Sequence, residues 1–86
     1  MRALAFQIVE QHRKAENLYL IGGGSIADLQ IGDELFYLPD TEANRVEIRK
    51  IIYFGIELVD ITPPHTCYLL IQTKQTLGPL VQELFK

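Results

Sequence analysis

Gly22-Gly23-Gly24-Ser25 is the first stretch of this sequence that invites a chemical reading. A phosphate-cradling loop needs glycines that end in Lys-Ser or Lys-Thr at the mouth of a helix. A dinucleotide fingerprint needs three spaced glycines between a strand and a helix. Neither a lysine nor a third spaced glycine follows Gly24, so the run is expected to be structural. His65 and Cys67 are two residues apart, and on a strand both would face one way, toward a zinc ion. Zinc wants four ligands, and His12 is the only other histidine. A Cys–His nucleophile pair would need a base oriented behind the thiol, which neighbouring same-face positions do not supply. Among the carboxylates, Asp33 reads as turn chemistry after Gly32, and Asp28 and Glu34 as a solvated face. No complete catalytic constellation can be assembled, so no enzyme activity, cofactor or metal is expected.

Arg45, Arg49 and Lys50 with Tyr53 and Phe54 form the candidate binding surface. Basic residues interleaved with aromatics can hold single-stranded nucleic acid by stacking and phosphate contact. Glu42, Glu47 and Glu57 occupy the same region, however, and the chain carries 8 Lys and Arg against 11 Asp and Glu, a net charge of −3. That balance is poor for a general nucleic-acid binder. The expected partner is therefore a protein, contacted through loops or a sheet edge, with a translation-associated RNA contact as the alternative. A monomer is the favoured state.

The elements that must position these residues are strands. At 86 residues and 48% hydrophobic content, the sequence reads as one domain spanning 1–86 with a modest core. One cysteine excludes an internal disulfide and fits a reducing compartment. No apolar run reaches the length of a membrane span, and polar Gln7 and Glu10 interrupt any signal-peptide core. A soluble cytoplasmic protein is expected.

Ala3 to Gln11 alternates, with Leu4, Phe6 and Ile8 as the apolar face of a strand. His12 to Asn17 is polar and reads as a hairpin loop, and Leu18 to Ile21 as the returning strand. Gly22, Gly23 and Gly24 then read as a corner, where positive φ permits a sharp bend. Ile26, Leu29 and Ile31 point inward from a connection, and Gly32-Asp33 turns into the strand Glu34 to Leu38. Pro39 to Asn44 is a polar, flexible loop. Arg45 to Phe54 is the longest strand, with a phase slip at Lys50-Ile51-Ile52 that implies a bulge. Phe54-Gly55-Ile56 is a turn, Ile56 to Ile61 is extended, and Thr62-Pro63-Pro64-His65 is a stiff corner. Thr66 to Thr73 closes the strand set with Cys67, Leu69 and Ile71 on one face. The expected core is Leu4, Phe6, Ile8, Leu18, Leu20, Ile26, Leu29, Ile31, Leu35, Val46, Ile48, Cys67, Leu69 and Ile71.

The ordered set resembles domain 2 of the translation GTPases, the β-barrel domain of elongation factor Tu and its relatives. Gly22 to Gly24 and Leu29-Gln30-Ile31-Gly32-Asp33-Glu34-Leu35 carry that family's glycine connection and its apolar-Gly-Asp turn into a strand. Val46 to Gly55 looks like its basic-apolar strand ending in an aromatic-Gly pair, and Pro63-Pro64 followed by Cys67 to Ile71 like its proline corner and next strand. The likeness covers most of Phe6 to Gln72. Pro64 stands where the family usually has glycine, and the family's final Gly-Asp turn and strand are absent. Gly78 to Lys86 takes their place. The resemblance implies an all-β, six- to seven-stranded barrel over about 3–73, without the GTPase activity, which belongs to another domain.

In the tail, Pro79 suits a first helical position. Leu77, Leu80, Val81, Leu84 and Phe85 fall at helical spacing. A short helix over 78–86 is expected, either capping an open end of the barrel or docking into a partner.

Overall fold

The computed structural model describes residues 2–86. Its nine strands are β1 (Leu4–Ala15), β2 (Leu18–Ser25), β3 (Leu29–Gln30), β4 (Glu34–Phe36), β5 (Arg45–Tyr53), β6 (Ile56–Leu58), β7 (Asp60–Ile61), β8 (His65–Thr73) and β9 (Glu83–Phe85), with one 3-10 turn at Glu42–Asn44. The main sheet runs β4-β9-β1-β2-β8-β5-β6, and β4 also pairs with β5. Every pairing is antiparallel. β4, β9, β1, β2, β8 and β5 thus close into a six-stranded barrel, as expected. β6 hangs from β5 outside the ring, and β3 and β7 form a separate two-stranded ribbon. No helix is long and apolar enough to cross a membrane.

Alternation places the core. Cys67, Leu69 and Ile71 of β8 are buried, with Phe6 and Ile8 of β1, Leu29 of β3, Leu35 of β4 and Val46 and Ile48 of β5. The bulge in β5 lies between Ile48 and Lys50. It restores the inward phase three residues after Ile48, at fully buried Ile51. Gly32 sits at φ +93°, in the region a Cβ disfavours, and leads the turn into β4. The Asp33 carboxylate accepts from the Gln30 N–H at 3.0 Å, pinning that turn.

Several expected core residues lie elsewhere. β2 runs in the opposite phase: Tyr19 and Ile21 are buried, while Leu18 and Leu20 are half-buried on the outer face. Burying Tyr19 costs little because its hydroxyl has a partner, the Leu77 N–H at 3.1 Å. Leu20 pairs with Leu70, and next to that pair Tyr68 lies against Gly22. Ile26 and Ile31 are exposed and Leu4 is only half-buried. The loop expected at His12 to Asn17 is mostly strand. β1 continues to Ala15, and the chain reverses at Glu16-Asn17 with Asn17 at φ 59°. The 39–44 loop is tied down as well. Asn44 is buried, donates to the Pro39 carbonyl at 2.7 Å and accepts from Gln75 at 2.9 Å.

The glycine run makes no corner. Gly22, Gly23 and Gly24 lie within β2, paired to β1 on one side and β8 on the other, with no positive φ. Close approach is what they serve. A register shift leaves Val9 bulged between Ile8 and Glu10, and a Cβ on Gly23 would fall 1.8 Å from the Gln7 carbonyl oxygen and 3.1 Å from the Phe6 ring. A Cβ on Gly22 would meet the Tyr68 ring at 2.7 Å, whereas one on Gly24 would meet nothing within 4 Å. Gly23→Ala should therefore cost about 1–3 kcal/mol by overpacking, and Gly24→Ala should stay within about 0.5 kcal/mol of the parent. Urea denaturation of the two variants checks the contrast.

The tail is a strand and not a helix. β9 lies between β1 and β4, with Leu84 opposite Phe6 and Phe85 opposite both Leu4 and Phe36. Ala3 and Lys86 exchange backbone hydrogen bonds of 3.0 and 2.8 Å, and the Ile8 N–H donates to Gln82 at 2.8 Å. An eight- or nine-residue helix is marginal in water. Two open strand edges offer this segment a full set of backbone partners. Leu77 and Leu84 are buried by this arrangement, and Leu80 is left 88% exposed. Leu84→Ala should accordingly lose about 2–5 kcal/mol, while Leu80→Ala should be near neutral. A helical tail would cost both leucines alike, so thermal melts of the pair test the strand.

Candidate binding surface

Each cation of the expected surface lies beside a carboxylate, Arg49 beside one on its own strand and the other two beside neighbouring elements. Arg45 lies 2.6 Å from Glu34 on β4 and 3.0 Å from Glu42 in the 3-10 turn. Arg49, the bulged residue of β5, lies 3.6 Å from Glu47, and Lys50 lies 3.8 Å from Glu57 on β6. Exposed pairs of this kind add little stability, but they neutralise the positive field a phosphate backbone would need. The five residues also do not converge. Arg45 and Tyr53 are the two ends of β5, about 26 Å apart at roughly 3.3 Å per residue. Arg49 and Lys50 sit between them.

Tyr53 and Phe54 belong to a different surface, at the end of the β5–β6 hairpin. Tyr53 pairs with Ile56 across the two-residue turn Phe54-Gly55, whose φ values are 49° and 77°. Two positive φ values make a primed turn, matched to the twist of the flanking strands. Gly55 adopts this without cost, whereas a bulky residue such as Phe54 is an outlier there. Phe54 is also 86% exposed, with its ring edge-on to Tyr53 at 4.6 Å. Ile56 and Val59 are exposed beside it. Beneath the hairpin, Tyr53, Leu58, Asp60, Ile61, Thr62 and His65 line a pocket of about 190 Å³. The His65 ring stacks edge-on against Tyr53 at 5.4 Å and approaches the Thr62 carbonyl through Nδ1. Apolar walls with a few polar groups at the rim are the composition of a recognition surface.

Two further concavities have less to offer. An open groove of about 440 Å³ runs between Tyr37-Leu38 and the 78–83 segment; its walls are apolar, and Glu83 is the single acid that lines it. A smaller cleft beside Gly22 and Gly23 is crossed by Tyr68, whose hydroxyl donates to Glu10. That bond holds the Glu10 carboxyl below the usual range and raises Tyr68. The glycine run itself is engaged in the sheet ladder, with no helix behind it to receive a phosphate. Among the described residues no group of three or more His, Cys, Asp or Glu could hold a metal.

Cys67 is buried in the barrel core, and burial pushes its thiol up to about 11 from 9.0. It stays protonated at neutral pH and makes a poor nucleophile. The folded pKa is the raised one, so the stability this residue contributes is full below its unfolded value and lost as pH rises through about 11. Parent and Cys67→Ala should therefore converge in stability between pH 9 and 11, read as the difference in their denaturation midpoints. Alkylation of the folded parent at neutral pH should be slow until denaturant opens the barrel.

No protein-family model, curated protein or solved structure matches this chain.

Proposed function

We propose that this protein is a non-enzymatic binding module that holds a protein partner at the β5–β6 end of its barrel, on a plan like that of domain 2 of the translation GTPases. The likeness to that domain is supported by the closed six-stranded antiparallel ring and by the Gly32-Asp33 turn that leads into β4. Phe54 carries the functional reading. A large aromatic held in a left-handed conformation, almost wholly in solvent, earns nothing for the fold. Strain of this kind, together with exposed Ile56 and Val59, is what a docking surface would retain. Paired cations along β5 weigh against an RNA contact, because few of them are left to release counterions.

Phe54→Asn separates fold from function. Asn-Gly is the preferred pair for this turn, so the variant should be more stable than the parent by about 1 kcal/mol. The same change removes the aromatic anchor. Affinity capture with parent and variant as parallel baits, at low and at high salt, should yield a protein retained by the parent in both conditions and lost from the variant. Equal retention by the two baits would refute the role of Phe54. A co-purifying RNA released steeply by salt would favour the nucleic-acid alternative.

A further inference from the structure

We propose that the outer edge of β6 accepts an extended peptide of the pattern apolar-basic-apolar as an additional strand, which rests on the protein-binding reading above and names the partner's chemistry. Hairpin geometry sets the edge. Tyr53 and Ile56 flank a two-residue turn and exchange both their hydrogen bonds, so Ile56 and Leu58 spend their backbone groups on β5. Glu57 then turns its N–H and C=O away from β5. Two residues on, the Val59 carbonyl also faces outward and accepts the Ile31 N–H at 3.0 Å. That bond shows that the backbone just beyond β6 presents its outward carbonyl to a neighbouring segment. At Glu57, among the described residues, no strand occupies it.

The side chains select the sequence. Ile56 shares a face with Tyr53 and Leu58, which line the 190 Å³ pocket, and is itself 63% exposed. Residues of an incoming strand opposite Ile56 and Leu58 would extend this apolar face. Glu57 stands on the other face, its side chain 65% exposed and only loosely met by Lys50 at 3.8 Å. A cation directly opposite it gains a cross-strand pair, and an anion there is repelled. The same charge excludes a second copy of this chain. An antiparallel β6–β6 pairing centred here would set Glu57 against its twin, a common guard on open edges.

The test uses a blocked peptide of alternating valine and threonine with one central lysine, titrated into isotope-labelled protein and followed by amide chemical shifts. The lysine peptide should move the Glu57 and Val59 amides saturably. A glutamate-centred peptide should bind about fivefold more weakly, and Glu57→Lys should invert that preference. Methylating the backbone nitrogen of the peptide's central lysine, which faces Glu57 in an antiparallel addition, should weaken binding, and unchanged binding would count against the proposal. Equal binding of the two peptides, shifts centred away from β6, or no saturable shift would each overturn the proposal. Failure here is distinct from failure of the protein-binding reading. An indifferent edge together with a capture that depends on Phe54 removes only the strand addition. A lysine-selective edge with Phe54-independent capture removes only the aromatic anchor.

Discussion

A sheet closes into a barrel only when its two outermost strands find hydrogen-bonding partners, and here the gap between β1 and β4 is filled by three residues of β9. Much else depends on that insertion. Without it, the backbone groups of Ala3 and Ile8 lose the partners they have in Lys86 and Gln82. Leu84, fully buried against the core, would return to water. The path that brings the chain to this slot is also anchored: Leu77 to the Tyr19 hydroxyl, and Gly78 to the Gln11 side chain. At the far end of β9, the Lys86 ammonium bridges the Asp28 carbonyl and the Asp33 carboxylate at 2.8 and 3.0 Å. The closing strand is thereby joined to the turn that launches β4, its other neighbour. Closure removes edges that would otherwise invite association.

Two of the ring's register shifts shape its curvature. Val9 bulges from β1, and Arg49 from β5. Each adds a residue on one strand, increases local twist and turns the following side chains. The glycines of β2 answer the first bulge. At Gly23 the neighbouring backbone comes so near that any side chain is excluded, and at Gly22 the outer surface is left bare for the Tyr68 ring, which reaches Glu10 across it. The second bulge reorients β5, so that its first half pairs with β4 inside the ring and its second half with β6 outside it.

Features decided within a few residues were legible in the sequence. The alternation of β8, the break in β5 and the Gly32-Asp33 turn all follow from local pattern. Features decided by distant partners were not. The inward choice of Tyr19 over Leu18 and Leu20 depends on a backbone N–H 58 positions away. The glycine run looks like a corner because Gln7, which closes on Gly23, stands well before it in the chain and its approach cannot be read from composition. The tail carries a helical spacing of leucines, but the two open edges it meets, those of β1 and β4, lie in the first half of the chain, far from it in sequence. For the candidate surface, Arg45, Arg49 and Lys50 were visible as cations, while their pairing to Glu34, Glu42, Glu47 and Glu57 belongs to tertiary structure. The Phe54-Gly55 turn was legible. Its solvent exposure was not, because an aromatic beside a strand ordinarily packs.

The β5–β6 hairpin is where side-chain exposure departs from the pattern of the ring. Inside the ring, most large apolar side chains are buried. The hairpin leaves that ring after Ile52 and runs on with Phe54, Ile56 and Val59 in water. A sequence optimised for the fold alone would place asparagine at the turn and polar residues along β6. Phe54 and Ile56 violate both preferences within three residues, beside a pocket whose rim holds His65 and Asp60. Local rules broken together, at one end of an otherwise consistent barrel, are what the proposed docking surface rests on.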